Sequence, residues 1–234
     1  MKKIILFFVS IALLASCSNV KTFKTVDFKE KKFYFDYKES GNIGNVKIDL
    51  NANSHGKKSE TGGLISEAIG VVGDIAKEIG TELSSAYMEK KLMTSYQQVD
   101  FKKILTGDSK NTLTKYCKIR ESNDINDNYD FINTITLERN EILVSNDGVY
   151  LLITVNSNIF NRNTSQMVWQ EKLARSVRLN LDNSSSKNNF FGFKHIYDLA
   201  TISEEKLTKA MGNATKAIAV ELSNILTQDI QNNN

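Results

Sequence analysis

The sequence predicts an α+β fold: an antiparallel sheet of about five to seven strands with two long amphipathic helices packed on one face. Three observations lead there. Apolar and polar residues alternate with period two at Phe33–Tyr37, Val46–Leu50 and Gln166–Asp182, as they do along half-buried strands. Ser145-Asn146-Asp147-Gly148 sits between two β-rich runs, a hairpin signal of the Asp-Gly type. Two longer stretches, Leu64 to about Gln97 and Leu207 to about Gln228, carry apolar residues at 3.6-residue spacing.

The chain opens with Lys2 and Lys3 and an apolar run from Ile4 to Leu14 broken only by Ser10. A positive start, a short apolar run and small residues make a secretory signal. The run is shorter than the roughly 20 apolar residues a spanning helix needs. It ends in Leu14-Ala15-Ser16-Cys17, which resembles the lipobox of bacterial lipoproteins. That resemblance implies cleavage before Cys17, diacylglycerol on the cysteine sulfur, and usually an acyl chain on the new amine. An ordinary signal peptide with a chance cysteine is the bland alternative. Ser18 is not the Asp by which some bacteria retain lipoproteins at the inner membrane, so outer-membrane placement fits the same resemblance. The expected organisation is a signal peptide over 1–16, a lipidated tether over 17–30 and a single α+β domain over 31–234.

Within the body, Phe33, Phe35 and Tyr37 read as one strand and Val46, Ile48 and Leu50 as the next. Gly41-Asn42-Ile43-Gly44-Asn45 lies between them as a turn, so the pair predicts a β-hairpin with a longer loop. Asn53–Glu60 is polar loop. In the first helix, Gly70, Gly73 and Gly80 fall with Ser66 and Ser84 on a narrow stripe beside the apolar face. Each glycine costs about 1 kcal/mol against alanine, which implies a close approach of another backbone. Two settings are open: packing on the protein's own sheet, or a self-association face.

Cys117 lies in Lys115-Tyr116-Cys117-Lys118-Ile119, alternating with charged neighbours as a strand residue facing the core would. With Cys17 assigned to lipid, it is left without an intrachain partner, so it is either buried or paired between molecules. Phe131–Leu137 is β-rich. Leu151 and Leu152 are consecutive apolars, which predicts a central strand covered on both faces. In Gln166–Asp182, Met167, Trp169, Leu173, Val177, Leu179 and Leu181 share one side, and Glu171 and Arg175 interrupt it. Asn183–Asn189 is a Ser/Asn loop. Thr201-Ile202-Ser203-Glu204 has the form of a capping box ahead of the last helix, and Gln231–Asn234 reads as a frayed end.

Composition and motifs bound the chemistry. The formal charge of +3 includes Lys2 and Lys3, so the mature chain is near +1, no basis for nucleic-acid binding. His55 and His195 share no spacing that places two ligands on one metal. No nucleophile-elbow or phosphate-loop motif appears. Asp124, Asp127 and Asp130 recur every third residue, whereas a calcium loop wants every second residue, a glycine and a late Glu. They read as a solvated loop, and no metal or cofactor is expected. Phe190, Phe191 and Phe193 form an aromatic group before His195 and Tyr197. It suits either a partner contact or a plug at the sheet edge.

The apolar strand Val149–Val155, the Trp-bearing strand from Val168-Trp169 and a closing Ala-rich helix with Leu222 and Leu226 together resemble CsgG-like and TolB-N-like periplasmic lipoproteins. The resemblance implies a lipid-anchored role in outer-membrane export or assembly. The long Asn-rich loop and the lack of a transmembrane hairpin depart from it. The expected function is therefore a non-enzymatic, membrane-anchored lipoprotein on the periplasmic face, binding a protein partner or a second copy. The alternative is a surface-exposed adhesin-like or antigen-like lipoprotein.

Overall fold

The structure, a computed structural model, describes residues 26–49, 85–145, 147–181 and 194–233. The signal segment, Cys17, the glycine stripe Gly70/Gly73/Gly80, the 53–60 loop and Phe190, Phe191 and Phe193 lie outside the described residues. The described chain forms β1 (Lys32–Asp49), α1 (Ser85–Gln98), α2 (Phe101–Cys117), β2 (Arg120–Ser122), β3 (Phe131–Ser145), β4 (Gly148–Asn161), β5 (Gln166–Arg178), α3 (Lys194–Thr201) and α4 (Glu204–Gln231).

The α+β class stands, but the sheet is mixed rather than antiparallel. Its order among the described residues is β2-β1-β3-β4-β5. β1 runs parallel to both β2 and β3, while β3–β4 and β4–β5 are antiparallel. Parallel neighbours need a crossover of a dozen or more residues, and α1 and α2 lie in that crossover.

The expected hairpin at Gly41–Asn45 does not form. Both halves belong to one strand whose ladder with β3 runs from Phe33↔Phe131 to Asp49↔Ser145, slipping between Glu39 and Asn42 and between Ile43 and Asn45. Gly41 and Gly44 hold φ of 82° and 74°. That left-handed backbone is open to glycine, and bulges use it as readily as turns do.

A helix also replaces the strand expected around Cys117. The Asp100 side chain caps α2 by accepting from the Lys103 N–H. At the other end Lys118, at φ 52°, returns its N–H to the Thr114 carbonyl. Phe101, Leu105, Ser109, Thr112, Leu113 and Cys117 form the buried face. Cys117 is thus buried as expected, but as the last residue of a helix.

β3 and β4 meet at Ser145↔Gly148 as the Asp-Gly signal predicts. β4 buries Leu151, Ile153, Val155, Ser157 and Ile159 in strict alternation, and Leu152 stays half-buried. So β4 is internal in the sheet, with only one face fully covered. Arg175, which interrupts the apolar pattern of β5, pairs with Glu221 of α4, its Nε lying 3.0 and 3.1 Å from the two carboxylate oxygens. α4 is capped by Ser203, which accepts from the Lys206 N–H. Thr201, the expected cap, instead closes α3.

One cross-strand row, Phe35, Asn133, Ile159 and Trp169, receives polar contacts from two helices. Ser109 of α2 donates to Asn133 Oδ1 at 3.0 Å. Trp169, wholly buried, donates its indole N–H to Asp229 of α4 at 3.0 Å.

The bulged strand has a direct test. A Cβ at Gly41 would collide with the Glu138 carbonyl oxygen, whereas one at Gly44 meets only the flexible Met93 sulfur at 3.6 Å. Gly41→Ala should therefore lower stability by about 2–3 kcal/mol, the upper part of the range for left-handed strain, measured by urea unfolding. Gly44→Ala should lose about 1 kcal/mol. Equal losses would argue for the hairpin.

Candidate functional site

The end of the sheet at which β1 begins gathers four separate pieces of chain. Phe28 is buried against Phe33 and Phe131, with ring centroids 5.5 and 4.9 Å away. The Glu30 N–H donates to the Cys117 carbonyl at the end of α2, and the Arg120 N–H to the Lys31 carbonyl. The 123–130 loop then folds over the start of β1. Asp130 accepts from the Lys32 N–H at 2.8 Å, and Asp127 accepts from Lys32 Nζ at 3.1 Å and from Ser122 Oγ at 2.8 Å. Asp124 accepts from the Asn126 N–H. Arg162, in the β4–β5 turn, donates to the Asp127 carbonyl at 2.6 Å and lies 4.3 Å over the Tyr129 ring, which stacks on Tyr34.

The three aspartates of this loop therefore fasten it to β1 and to itself. Hydrogen bonds from Ser122 and Lys32 hold the Asp127 carboxyl below its ordinary range. Among the described residues no three His, Cys, Asp or Glu side chains converge as a metal site would require. Sequence reasoning placed the loop in solvent and missed its fastening role, because Lys32 is 95 positions away from Asp127. The tip of the turn carries Ile125, 53% exposed.

The remaining sequence candidates divide by burial. His195 is half-buried in α3, its Nδ1 3.8 Å from the Asp198 carboxylate. Burial, aided by the Asp27 charge, pushes the Cys117 thiol up to about 11, so it is protonated at neutral pH. A reactive cysteine needs the opposite setting. Lys91 of α1, 2% exposed, was not singled out by sequence. It donates to the Leu199 and Ala200 carbonyls at 3.1 and 2.8 Å and so caps the end of α3. Burial lowers its pKa to about 8, against a smaller opposing effect of Glu204.

These two groups give opposite pH dependences. Between about pH 8 and 10.5 the unfolded chain binds a proton at Lys91 that the folded chain does not, so stability rises with pH. Between about pH 9 and 11 the folded chain keeps a proton at Cys117 that the unfolded chain has lost, so stability falls. Lys91→Met should remove the rise that begins near pH 8, and Cys117→Ala should remove the later fall. Urea midpoints measured from pH 7 to 11 check both; an unchanged profile in either variant contradicts its assignment.

Residues 1–18 match the family model for the prokaryotic membrane lipoprotein lipid attachment site. No curated protein matches the chain in sequence. Among solved structures the chain is similar to a Xanthomonas campestris protein of the DUF330 family model, at 11% identity, with 87% of each chain covered and a TM-score of 0.42. It is also similar to a PelC dodecamer from Paraburkholderia phytofirmans, at 9% identity, over 85% of this chain and 91% of that one, with a TM-score of 0.33. Likenesses this distant carry no statement about what this chain binds. No helix among the described residues is long and apolar enough to cross a membrane. The matched N-terminal segment supports assignment of the chain as a lipid-anchored bacterial lipoprotein.

Proposed function

We propose that this protein is a non-enzymatic lipoprotein of the outer membrane's periplasmic face, acylated at Cys17, which binds a protein partner as an accessory to envelope transport or assembly. The carrying observation is the attachment-site match over residues 1–18, whose Cys17 stands 15 positions before β1 begins at Lys32. The non-enzymatic reading is supported by the chemistry of the candidate groups. Cys117 is buried with a raised pKa, and the acidic loop spends its carboxylates on neighbouring donors. The candidate contact residues are the aromatic group Phe190, Phe191 and Phe193 and the glycines Gly70, Gly73 and Gly80. The assembly role draws on the resemblance to CsgG-like and TolB-N-like lipoproteins.

Cys17→Ala should move the protein from the membrane fraction to the soluble fraction; if variant and parent fractionate alike, acylation at Cys17 is wrong. Crosslinking in intact cells should recover a species larger than the monomer, and monomer alone would count against partner binding. Protease applied to whole cells should leave the protein intact. Digestion would favour the surface-exposed reading.

A further inference from the structure

We infer that the end of the sheet at which β1 begins is apposed to the lipid bilayer, with Ile125 as its contact residue. The inference rests on acylation at Cys17. From Cys17 to Val26 is nine residue steps, a reach of about 30 Å when fully extended. Val26 leads through the buried Phe28 to the start of β1, beside the 123–130 loop. β3 runs away from this end for 15 residues, about 50 Å at roughly 3.3 Å per residue. The β3–β4 hairpin therefore lies at the far end, and the anchor brings the Ile125 end to the membrane first.

Ile125 is more exposed than the other exposed large hydrophobics of the described residues, 53% against 42% for Met93 and 43% for Val220. It does not float on a loose loop. Asp124 accepts from the Asn126 N–H at 2.8 Å, Asp127 is tied to Lys32 and Ser122, and Arg162 grips the Asp127 carbonyl. An isoleucine presented at the tip of a fastened turn can enter the headgroup boundary without reordering the loop. Charge selects the lipid. Residues 26–32, 118–130 and 162, with Lys110 that pairs with Glu121, hold seven cationic and six anionic side chains, a near-balanced surface that suits zwitterionic phospholipid over an anionic one.

The test uses full-length lipidated protein in vesicles of phosphatidylethanolamine and phosphatidylcholine. Asn123→Cys, exposed on the same loop with Ile125 kept, and Asn180→Cys, each in a Cys117→Ala background, are labelled with a fluorophore and quenched by nitroxide lipids. Asn180 is exposed and follows Leu179, which bonds to Val149 at the far end. Quenching at 123 should exceed that at 180 by roughly twofold or more, as expected for a group beside the interfacial layer. Equal quenching, or more at 180, overturns the inference while leaving the anchor intact. Failure of both proteins to float with vesicles overturns the anchor and the inference together. A second measurement needs no added cysteine. Amides of 123–130 should exchange more slowly in wild-type protein on vesicles than in Cys17→Ala protein in solution, with Val149 and Tyr150 unchanged. Equal exchange of 123–130 in the two settings overturns the inference.

Discussion

β1 and β3 lie side by side and point the same way, from Phe33↔Phe131 to Asp49↔Ser145, and strands so arranged cannot be joined by a tight turn. The chain must travel back along the sheet before β3 can begin. α2 completes that return: its last residue, Cys117, accepts the Glu30 N–H, and β2 then pairs with Lys32 and its neighbours. The crossover thus closes beside the point from which β1 set out. The clustering of the N-terminal segment, the end of α2, the 123–130 loop and the β4–β5 turn follows from this one parallel pairing.

Polar contacts then fix how the helices sit on the sheet. Apolar faces alone tolerate sliding, because dispersion and burial have little directionality. Asn133 is wholly buried, and leaving its amide unsatisfied would cost about 1–3 kcal/mol. Its Oδ1 accepts from Ser109, while its Nδ2 donates to Ser157 Oγ and the Asn158 carbonyl, both at 3.2 Å. A one-residue slip of α2 would break the first of these bonds. Trp169 and Asp229 play the same part for α4, and Lys91 for the junction of α1 with α3. Each pin joins groups far apart in sequence, so together they specify one packing among the many that burial would accept.

The elements legible in the sequence are those whose cause is local. The Asp-Gly hairpin, the presence of a strand at β5 and the apolar face of α4 from Leu207 to Leu222 are of this kind, although β5 ends at Arg178 and buries Val168 beside Trp169 instead of alternating through to Asp182. The rest depended on partners elsewhere in the chain. Gly41 and Gly44 supply left-handed backbone to a turn or to a bulge alike, and only β3 decides between them. α2 was hidden because Ser109 and Thr112 occupy its buried face, where they hydrogen-bond to Asn133 and Ser223. The five residues around Cys117 straddle a helix end and the approach to β2, so their alternation imitates a strand. Near the start of β1, the aspartate spacing was visible but Lys32 as the partner of Asp127 and Asp130 was not.

A lipid anchor sets distance and leaves orientation open. With about 30 Å of chain between Cys17 and the body, nothing in the tether itself selects the face that meets the membrane. A second contact made by an already tethered body is intramolecular, so it needs far less energy than the same contact made by a free protein. Burial of one isoleucine contributes about 1.5–3 kcal/mol at most, too little to hold a protein on a bilayer unaided. On a tethered body the same energy is enough to favour one orientation. It survives only if the contact does not have to order its own loop, since fixing backbone loses about 1–2 kcal/mol per residue. The hydrogen bonds from Lys32, Ser122 and Arg162 have already fixed that loop in the folded body. In the proposed orientation, affinity comes from a lipid at Cys17, and orientation from the way β1 and the 123–130 loop are fastened together.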